Sequence, residues 1–446
     1  MQKYVYTLFI FWAFPVQSQQ FLETYIREGL ERNEVLKQQH FSLEKSIYAL
    51  KEANGLFLPR VSLKGNYFLA GGGRTVDFPA GDILNPVYST LNQLTESNNF
   101  PIIENQRILL NPDNFYDVRV RTTMPLFNAE LVYNRRMKSE MISMQQLEKA
   151  VFQRELVKDI KTAYYNYLKS LEAIRIFDSA LKLVEENKRI NAALFKNDQV
   201  NRGVLIRAEN EVIRFQTQVD AAIQESYSAQ AYFNFLLNRN LDENIYMDEI
   251  KPITETSDFS ENSADREELR QLDLSNQINE HLIGLSKTYL LPQLSAFIDL
   301  GSQGFDWEYN SRTQYYFFGM ALQWNIFAGG QNRHRKKQAE LDQAITYSQR
   351  DNVAEHLLLQ QKVSINNFKA AYSQYTGAVK QAESSERAYK DAMKRYQEEQ
   401  ILFIELLDDQ NQWISAQLQE NISLYECLIK VAEIERSNAS FNLNTN

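Results

Sequence analysis

Residues 289–327 read YLLPQLSAFIDLGSQGFDWEYNSRTQYYFFGMALQWNIF, and the pattern of this stretch predicts two β-strands joined by a turn. Its second half alternates between two kinds of side chain. One set is large and apolar: Tyr316, Phe318, Met320, Leu322, Trp324 and Ile326. The set between them is Tyr315, Phe317, Gly319, Ala321, Gln323 and Asn325. A period of two over such a run predicts a β-strand with two unlike faces, and a strand of about ten residues with one apolar face suits a membrane barrel.

An earlier part of the chain repeats this arrangement. It begins LPRVSL at residues 58–63 and returns as FYDVRVRTTMPLF at residues 115–127. In the returning segment, Tyr116, Val118, Val120 and Met124 alternate with Asp117, Arg119, Arg121 and Thr123. Pro292 follows Pro59 by 233 residues, and Phe327 follows Phe127 by 200. We therefore predict four membrane strands, two from each copy.

The composition limits what these strands can form. The 446 residues include only 15 Gly and 9 Pro, so long uninterrupted elements can form, and the formal net charge of −9 argues against nucleic acid as a partner. With 44% hydrophobic and 24% charged residues, the chain is neither disordered nor a helical membrane protein. Four strands cannot close a barrel alone, because an open edge in lipid leaves backbone groups unpaired. Several chains must then share one barrel.

The N-terminus is interpreted as a signal peptide over residues 1–18. Lys3 precedes an apolar run from Tyr4 to Val16, with a cleavage site near Ser18. About 13 apolar residues are too few for a membrane-spanning helix. The single cysteine, Cys427, offers neither a lipid anchor near that site nor a disulfide framework, and we expect it to be a buried helical thiol.

The rest of the chain is predicted to be helical and duplicated. Repeat 1 covers residues 19–240, a connector covers 241–262, and repeat 2 covers 263–446. Each repeat is a helix–strand–strand–long helix–turn–helix unit. A helix is expected over 20–57, with a weak point at Gly29, and a polar external loop over 73–113. The strands are placed at about 59–72, 114–127, 292–302 and 314–327, and coiled-coil helices at about 130–197, 204–238, 332–397 and 405–440. At 1.5 Å per residue the first long helix is about 100 Å long, and its apolar residues recur at alternating spacings of three and four.

On these features the chain resembles the TolC-like outer membrane efflux proteins over roughly residues 20–446. The motifs are the two Leu-Pro strand openings, the Phe127 and Phe327 strand ends, and IELLDDQN at 404–411. The resemblance implies a mainly α protein with a membrane β-barrel, in which a homotrimer forms a 12-stranded outer-membrane barrel and a periplasmic helical tunnel. It also implies a passive exit duct on which a periplasmic adaptor and an inner-membrane transporter dock. The chain departs from the family at the helix turns: Asp198 and Glu399 stand where glycine is usual, and Val204 where an acid is expected.

The resemblance also implies candidate sites at the turns. Glu405 and Asp408 would line a periplasmic aperture, and Tyr396 would help to hold it closed. The tips that contact the adaptor would contain Asp198, Gln199, Val200, Gly203, Glu399, Gln400 and Ile401. A simpler alternative exists for the acids, because the helix dipole favours carboxylates in the first turn. Tyr396 is equally explained as a packed coiled-coil aromatic residue.

Both long helices begin with basic residues. These are Arg135, Arg136, Lys138, Arg333, Arg335, Lys336 and Lys337. Cations at a helix start are electrostatically unfavourable. Phospholipid headgroups of the outer membrane's inner leaflet would supply counter-charge. The alternative is an ordinary solvated face.

No enzyme motif accompanies these features. Ser42 and Lys45 have a Ser-x-x-Lys spacing without its partner motifs. The four histidines are scattered, with no second histidine at ligand spacing, so no metal or cofactor is expected. Two alternatives to the duct remain, a periplasmic coiled-coil scaffold without a pore and an enzyme. Membrane extraction discriminates the scaffold from the channel.

Overall fold

The computed structural model describes residues 20–111, 113–250 and 266–443. The predicted signal peptide and the second half of the predicted connector lie outside these residues. The described chain divides into two compact units. The helical unit is formed by residues up to 47, 140–278 and 342 onward, and the sheet unit by 48–139 and 279–341.

Helices dominate the described part of the chain. The helices are α1 Gln20–Arg32, α2 Glu34–Gly55, α3 Ala80–Leu94, α4 Ala129–Lys196, α5 Arg202–Leu236, α6 Glu267–Ser286, α7 Gln331–Gln397 and α8 Phe403–Ser437. Both α4 and α7 run without interruption, for 68 and 67 residues. No described helix is both long enough and apolar enough to cross a membrane.

A four-stranded antiparallel sheet organises the sheet unit. Its strands are β1 Arg60–Phe68, β4 Phe115–Phe127, β5 Gln293–Phe305 and β6 Gln314–Gln323, in the spatial order β1-β4-β5-β6. The central pair, β4 and β5, comes from different repeats and aligns Arg121 with Asp299. A separate two-stranded sheet pairs β2 Thr75–Phe78 with β3 Gln106–Leu109.

Three elements differ from the prediction. The break in the first helix lies at Asn33 rather than at Gly29, because the Asn33 side chain accepts from the backbone N–H groups of Val35 and Leu36 and so begins α2. Gly29 instead allows close packing, since a Cβ there would lie 2.4 Å from Ile160 Cδ1. Strand β6 ends at Gln323 rather than at Phe327. Its partner β5 begins at Gln293, and the preceding Pro292 has no N–H to donate.

The third difference is in the segment predicted to be a polar external loop. It contains β2, α3 and β3. Two asparagines of α3 hold the returning chain: Asn85 exchanges hydrogen bonds with the backbone of Ile103, and Asn92 does so with Phe100. Many asparagines are typical of a loop, but here their side chains form the hydrogen bonds that hold a folded insertion together.

The duplication extends to individual hydrogen bonds in the helical unit. Asn33 Nδ2 donates to the carbonyl of Leu236 at the end of α5. At the equivalent place in the second repeat, Arg266 Nη1 donates to the carbonyl of Ser437 at the end of α8. Two different side chains therefore donate to the equivalent C-terminal carbonyl groups of α5 and α8, which would otherwise lack donors.

Arg266 belongs to a buried ionic cluster that joins α4, α6 and α8. Its side chain is almost fully buried, and its Nε and Nη2 atoms donate to Glu268 at 3.0 and 2.7 Å. Arg436 bridges Glu268 and Glu155, with N···O distances of 2.9 Å to each. Burial alone would raise the pKa of Glu268, but hydrogen bonds from Arg266, its own backbone and Arg436 lower that pKa to about 2.

The helical unit has its largest apolar core beside this cluster. Tyr25, Tyr164 and Phe233 meet there, with ring centroids between 5.2 and 6.1 Å apart. Cys427 is buried in a separate cluster with Phe368, Ala371 and Ile434. Burial raises the pKa of its thiol to about 11, so the thiol stays protonated at neutral pH.

Candidate functional site

The four-stranded sheet has two chemically different faces. The first is the apolar face, on which large side chains remain exposed. These are Val61, Leu63, Tyr67, Val118, Val120, Met124, Ile298, Leu300, Tyr316, Phe318, Met320 and Leu322. On a water-soluble protein, so extended an apolar surface would be unusual unless a partner or a membrane covered it.

The opposite face, the polar face, carries charged groups in ion pairs. Arg121 binds Asp299 through two parallel N–H···O contacts, with 2.6 Å between Nε and Oδ1. Arg119 Nη1 donates to Asp117 Oδ2 at 2.6 Å, and the Tyr315 hydroxyl donates to the other oxygen of Asp117 at 2.8 Å. The β4–β5 register places these groups side by side.

Both edges of the sheet are unpaired in a single chain. Among the strands of the described residues, β1 pairs only with β4, and β6 pairs only with β5. Each edge therefore presents backbone N–H and C=O groups that must bond to another strand if lipid surrounds the sheet.

An aromatic stack lies at one end of the sheet. Trp307 has a positive φ of 58° in the β5–β6 turn, and its ring stacks between Tyr67 and Tyr116, with centroids 5.0 and 5.4 Å away. Trp and Tyr at a strand end are typical of a membrane–water boundary. Sequence alternation alone does not reveal this stack, because it depends on three separate strand ends.

The helix turns of the two repeats have the same backbone geometry. Asp198 and Glu399 both have φ of 58°, the left-handed conformation. In each turn the following residue donates to a carbonyl five positions earlier: Gln199 to Leu194 at 2.9 Å and Gln400 to Arg395 at 2.8 Å. This is a Schellman ending, in which glycine is the usual left-handed residue. Asp198 and Glu399 thus adopt a conformation that glycine usually takes at a helix end.

The remaining predicted tip residues lie close to these endings. Val200 and Ile401 are partly buried in the turns, whereas Gly203 lies inside the first turn of α5, since Asn201 caps that helix through a contact to Val204 N–H. The predicted helix bounds leave a turn between residues 197 and 204. The observed turn is shorter, because α5 begins at Arg202.

Replacing Glu399 with glycine is expected to stabilise the protein. A left-handed residue other than glycine costs about 1–2 kcal/mol, and glycine's greater unfolded-state freedom offsets part of that gain. We expect a net increase of roughly 0.5–1 kcal/mol, measured by thermal unfolding of the detergent-purified protein. The matched control is Glu398→Gly, at a neighbour without a positive φ, which should lower stability. Equal effects at both positions would contradict the conformational argument.

The candidate aperture acids are exposed and close to the start of α8. Glu405 Oε1 accepts from the Leu402 backbone N–H at 3.4 Å, and Asp408 Oδ2 accepts from Gln412 Nε2 at 2.9 Å. The first contact is one half of a capping box, and leucine has no side-chain acceptor for the other half. The Glu405 contact supports the helix-cap alternative, although its length makes it weak.

Tyr396 takes part in a buried polar network within one chain. Its hydroxyl donates to Asn191 Oδ1 at 2.6 Å, and Asn191 Nδ2 donates to the Asn187 carbonyl at 2.8 Å. Asn187 Nδ2 then donates to Gln410 Oε1 at 2.6 Å. These amides were not among the predicted site residues. Asn187 lies three residues after Val184, and Asn191 lies four residues after Asn187. Both asparagines therefore continue the coiled-coil seam, and polar residues in that seam were the signal that could have indicated this network.

The predicted basic residues lie within the first three turns of α4 and the first two turns of α7. Arg135 lies 5.4 Å from the Phe57 ring centroid and Arg136 lies 5.7 Å from that of Tyr133. Glu340 faces Lys336 at 3.1 Å and Lys337 at 3.5 Å. Lys138 is partly buried, and Arg333 and Arg335 are exposed. Among the described residues, no group of three or more His, Cys, Asp or Glu side chains could hold a metal.

Comparison with known proteins finds a family that part of the chain resembles. Residues 260–437 match the family model for outer membrane efflux proteins, and this segment covers most of the second repeat. No curated protein sequence matches the chain.

Solved structures agree in fold over nearly the whole chain. The Campylobacter jejuni CmeC outer membrane channel matches with a TM-score of 0.77 at 14% identity, covering 96% of this chain and 88% of that one. The Vibrio cholerae outer membrane protein VceC gives 0.74 at 12% identity, with coverage of 94% and 95%. The open-state Neisseria gonorrhoeae MtrE outer membrane channel gives 0.73 at 16% identity, with coverage of 94% and 88%.

The second repeat thus resembles the outer membrane efflux proteins, and the chain shares the fold of solved outer membrane channels. The resemblance to the TolC-like family that the duplicated motifs predict is confirmed, as is the mainly helical fold with few strands. Proteins of this class are channels rather than enzymes.

Proposed function

We propose that this protein is the outer-membrane exit duct of a tripartite efflux or type I secretion system, with a large periplasmic portion. The observation that carries the proposal is the four-stranded sheet, with its uncovered apolar face, its charged polar face and two unpaired edges. Lipid suits the apolar face, water suits the polar face, and strands of other chains would pair with the edges.

Three chains would complete the barrel. At least eight strands are needed to close one, and the sheet has four. A homotrimer would supply twelve, with β6 of each chain beside β1 of the next. The family match and the shared fold support this arrangement.

The helix turns are the proposed docking sites for a periplasmic adaptor, which would connect the duct to an inner-membrane transporter. The residues are Asp198, Gln199, Val200, Gly203, Glu399, Gln400 and Ile401, and the Schellman geometry holds both turns in one shape. The basic residues of α4 and α7 are proposed to face phospholipid headgroups. A passive duct of this kind takes its substrate selectivity largely from the transporter.

Membrane extraction and conductance test this function. A duct should resist salt washing, dissolve only in detergent, and give steady currents after reconstitution into planar bilayers. A coiled-coil scaffold without a pore would wash off with salt and conduct nothing. That second outcome would overturn the proposal.

The aperture proposal gives a separate prediction. Three chains would bring six carboxylates of Glu405 and Asp408 near one axis, where cations should concentrate. We expect the double variant Glu405→Ala/Asp408→Ala to weaken block by divalent cations and to reduce cation preference in bilayer recordings. Stability should change by only about 0.3–1 kcal/mol for each acid.

The adjacent carboxylate provides the control for this experiment. Asp409 is partly buried on a different side of α8, so Asp409→Ala should leave the cation block unchanged. If the double variant unfolds the trimer and leaves selectivity untouched, the two acids are helix caps and do not line an aperture.

A further inference from the structure

The polar face of the sheet is arranged in rungs that the strand register defines. One rung contains Lys64, Arg119, Gly301 and Tyr315, and the next contains Ser62, Arg121, Asp299 and Phe317. Arg60 belongs to the following rung, opposite Thr123. The Lys64 rung therefore has two neighbouring cations and no carboxylate of its own.

The two carboxylates of the polar face are already occupied by other partners. Asp299 accepts both contacts from Arg121, and Asp117 accepts from Arg119 and from the Tyr315 hydroxyl. Asp299 also lies 3.9 Å from Arg119 Nε, so two arginines share this carboxylate. Lys64 and Arg60 remain as excess positive charge, and neither forms an ion pair with any residue in the described part of the chain.

Two details show that positive charge is in excess at the Lys64 rung, although Arg119 pairs with Asp117 of the neighbouring rung. Lys64 lies directly opposite Arg119 across the β1–β4 pair, and like charges in that position destabilise a sheet. Arg119 Nε is buried without a hydrogen-bond partner among the described residues, and Asp299 Oδ2 lies 3.9 Å from it, beyond hydrogen-bond distance. An anion near this rung would relieve the repulsion.

We infer that the Lys64 rung is an anion-selective filter, and that anionic solutes are a class of cargo that the duct favours. This inference rests on the proposed function, because the polar face must line a pore. Three chains would place three such rungs around one axis, where their summed field would attract anions and repel cations. The sign is opposite to that proposed for the helix-turn aperture.

Reversal potentials in a potassium chloride gradient test the filter. The trimer is reconstituted with the Glu405→Ala/Asp408→Ala substitutions in every sample, so that the aperture acids do not mask the filter. Lys64→Glu should lower the chloride-to-potassium permeability ratio by roughly fivefold or more, because it reverses one charge in each of three chains. The effect should weaken at high salt, where screening is stronger.

The control is Lys51→Glu, which makes the same charge change at an exposed residue of α2 outside the sheet. It should leave the permeability ratio unchanged. If Lys64→Glu conducts with an unaltered ratio, or if Lys51→Glu changes the ratio equally, the filter is refuted while the duct remains. If none of the proteins conducts, the duct itself is refuted and the filter with it.

Discussion

Replacing Phe318 with arginine is expected to abolish assembly in the outer membrane. Phe318 lies near the middle of β6 on the apolar face and is 64% exposed in the single chain. An arginine facing lipid at the bilayer midplane costs about 2–4 kcal/mol, and a trimer would contain three. Heat-modifiable trimer on gels and protein in the detergent-soluble membrane fraction should both be lost.

The adjacent residue makes a stringent control. Phe317 is 58% exposed, nearly as much as Phe318, but its side chain lies on the polar face beside Phe297, with ring centroids 6.0 Å apart. Phe317→Arg should lose only that aromatic contact, about 0.5–1.5 kcal/mol, and should still assemble. Equal loss from both substitutions would mean that the two faces of β6 do not have different surroundings.

The second large effect is expected from Arg266→Ala. Its guanidinium is buried and joins Glu268 to the carbonyl of Ser437. Removing one partner of a buried ion pair typically costs about 3–5 kcal/mol, because the other charge stays buried. Denaturant unfolding of the helical part should show this loss. Arg270→Ala, one turn further along α6 and exposed, is the matched control and should change stability little.

The same cluster predicts a dependence on acid. The pKa of Glu268 is lowered from 4.5 to about 2 in the folded chain. A carboxyl with a lowered pKa adds stability above its unfolded value, and that stability falls as pH drops from about 4.5 towards 2. Replacing Glu268 with glutamine should flatten this part of the stability–pH curve. An unchanged curve would contradict the assigned ion pairs.

Much of the sheet was predictable because alternation is a local property. Tyr316, Phe318 and Met320 share a face in any β-strand, so the apolar face follows from the letters alone. The partners across strands do not. Arg121 and Asp299 are 178 residues apart, and their contact depends on a register fixed by β4–β5 pairing. The end of β6 likewise depends on where its partner strand begins.

The helical sites show the same limit. A start near residue 405 for the last helix follows from the sequence. The hydrogen bond from Tyr396 to Asn191 does not, because it joins residues of α7 and α4 that are 205 positions apart in the chain. Arg266 resembles an ordinary charged residue at a helix start, and only folding places it against the carbonyl of Ser437. The left-handed conformation of Glu399 could be predicted only from the family's glycine, because glutamate seldom adopts it.

The mass of the detergent-solubilised protein, measured by native mass spectrometry after removal of bound detergent, tests the central claim most directly. A shared barrel built from four-stranded sheets with two unpaired edges requires several chains, and we predict three. A stable, membrane-inserted species containing one chain would contradict it, because its β1 and β6 edges would then lie unpaired in lipid.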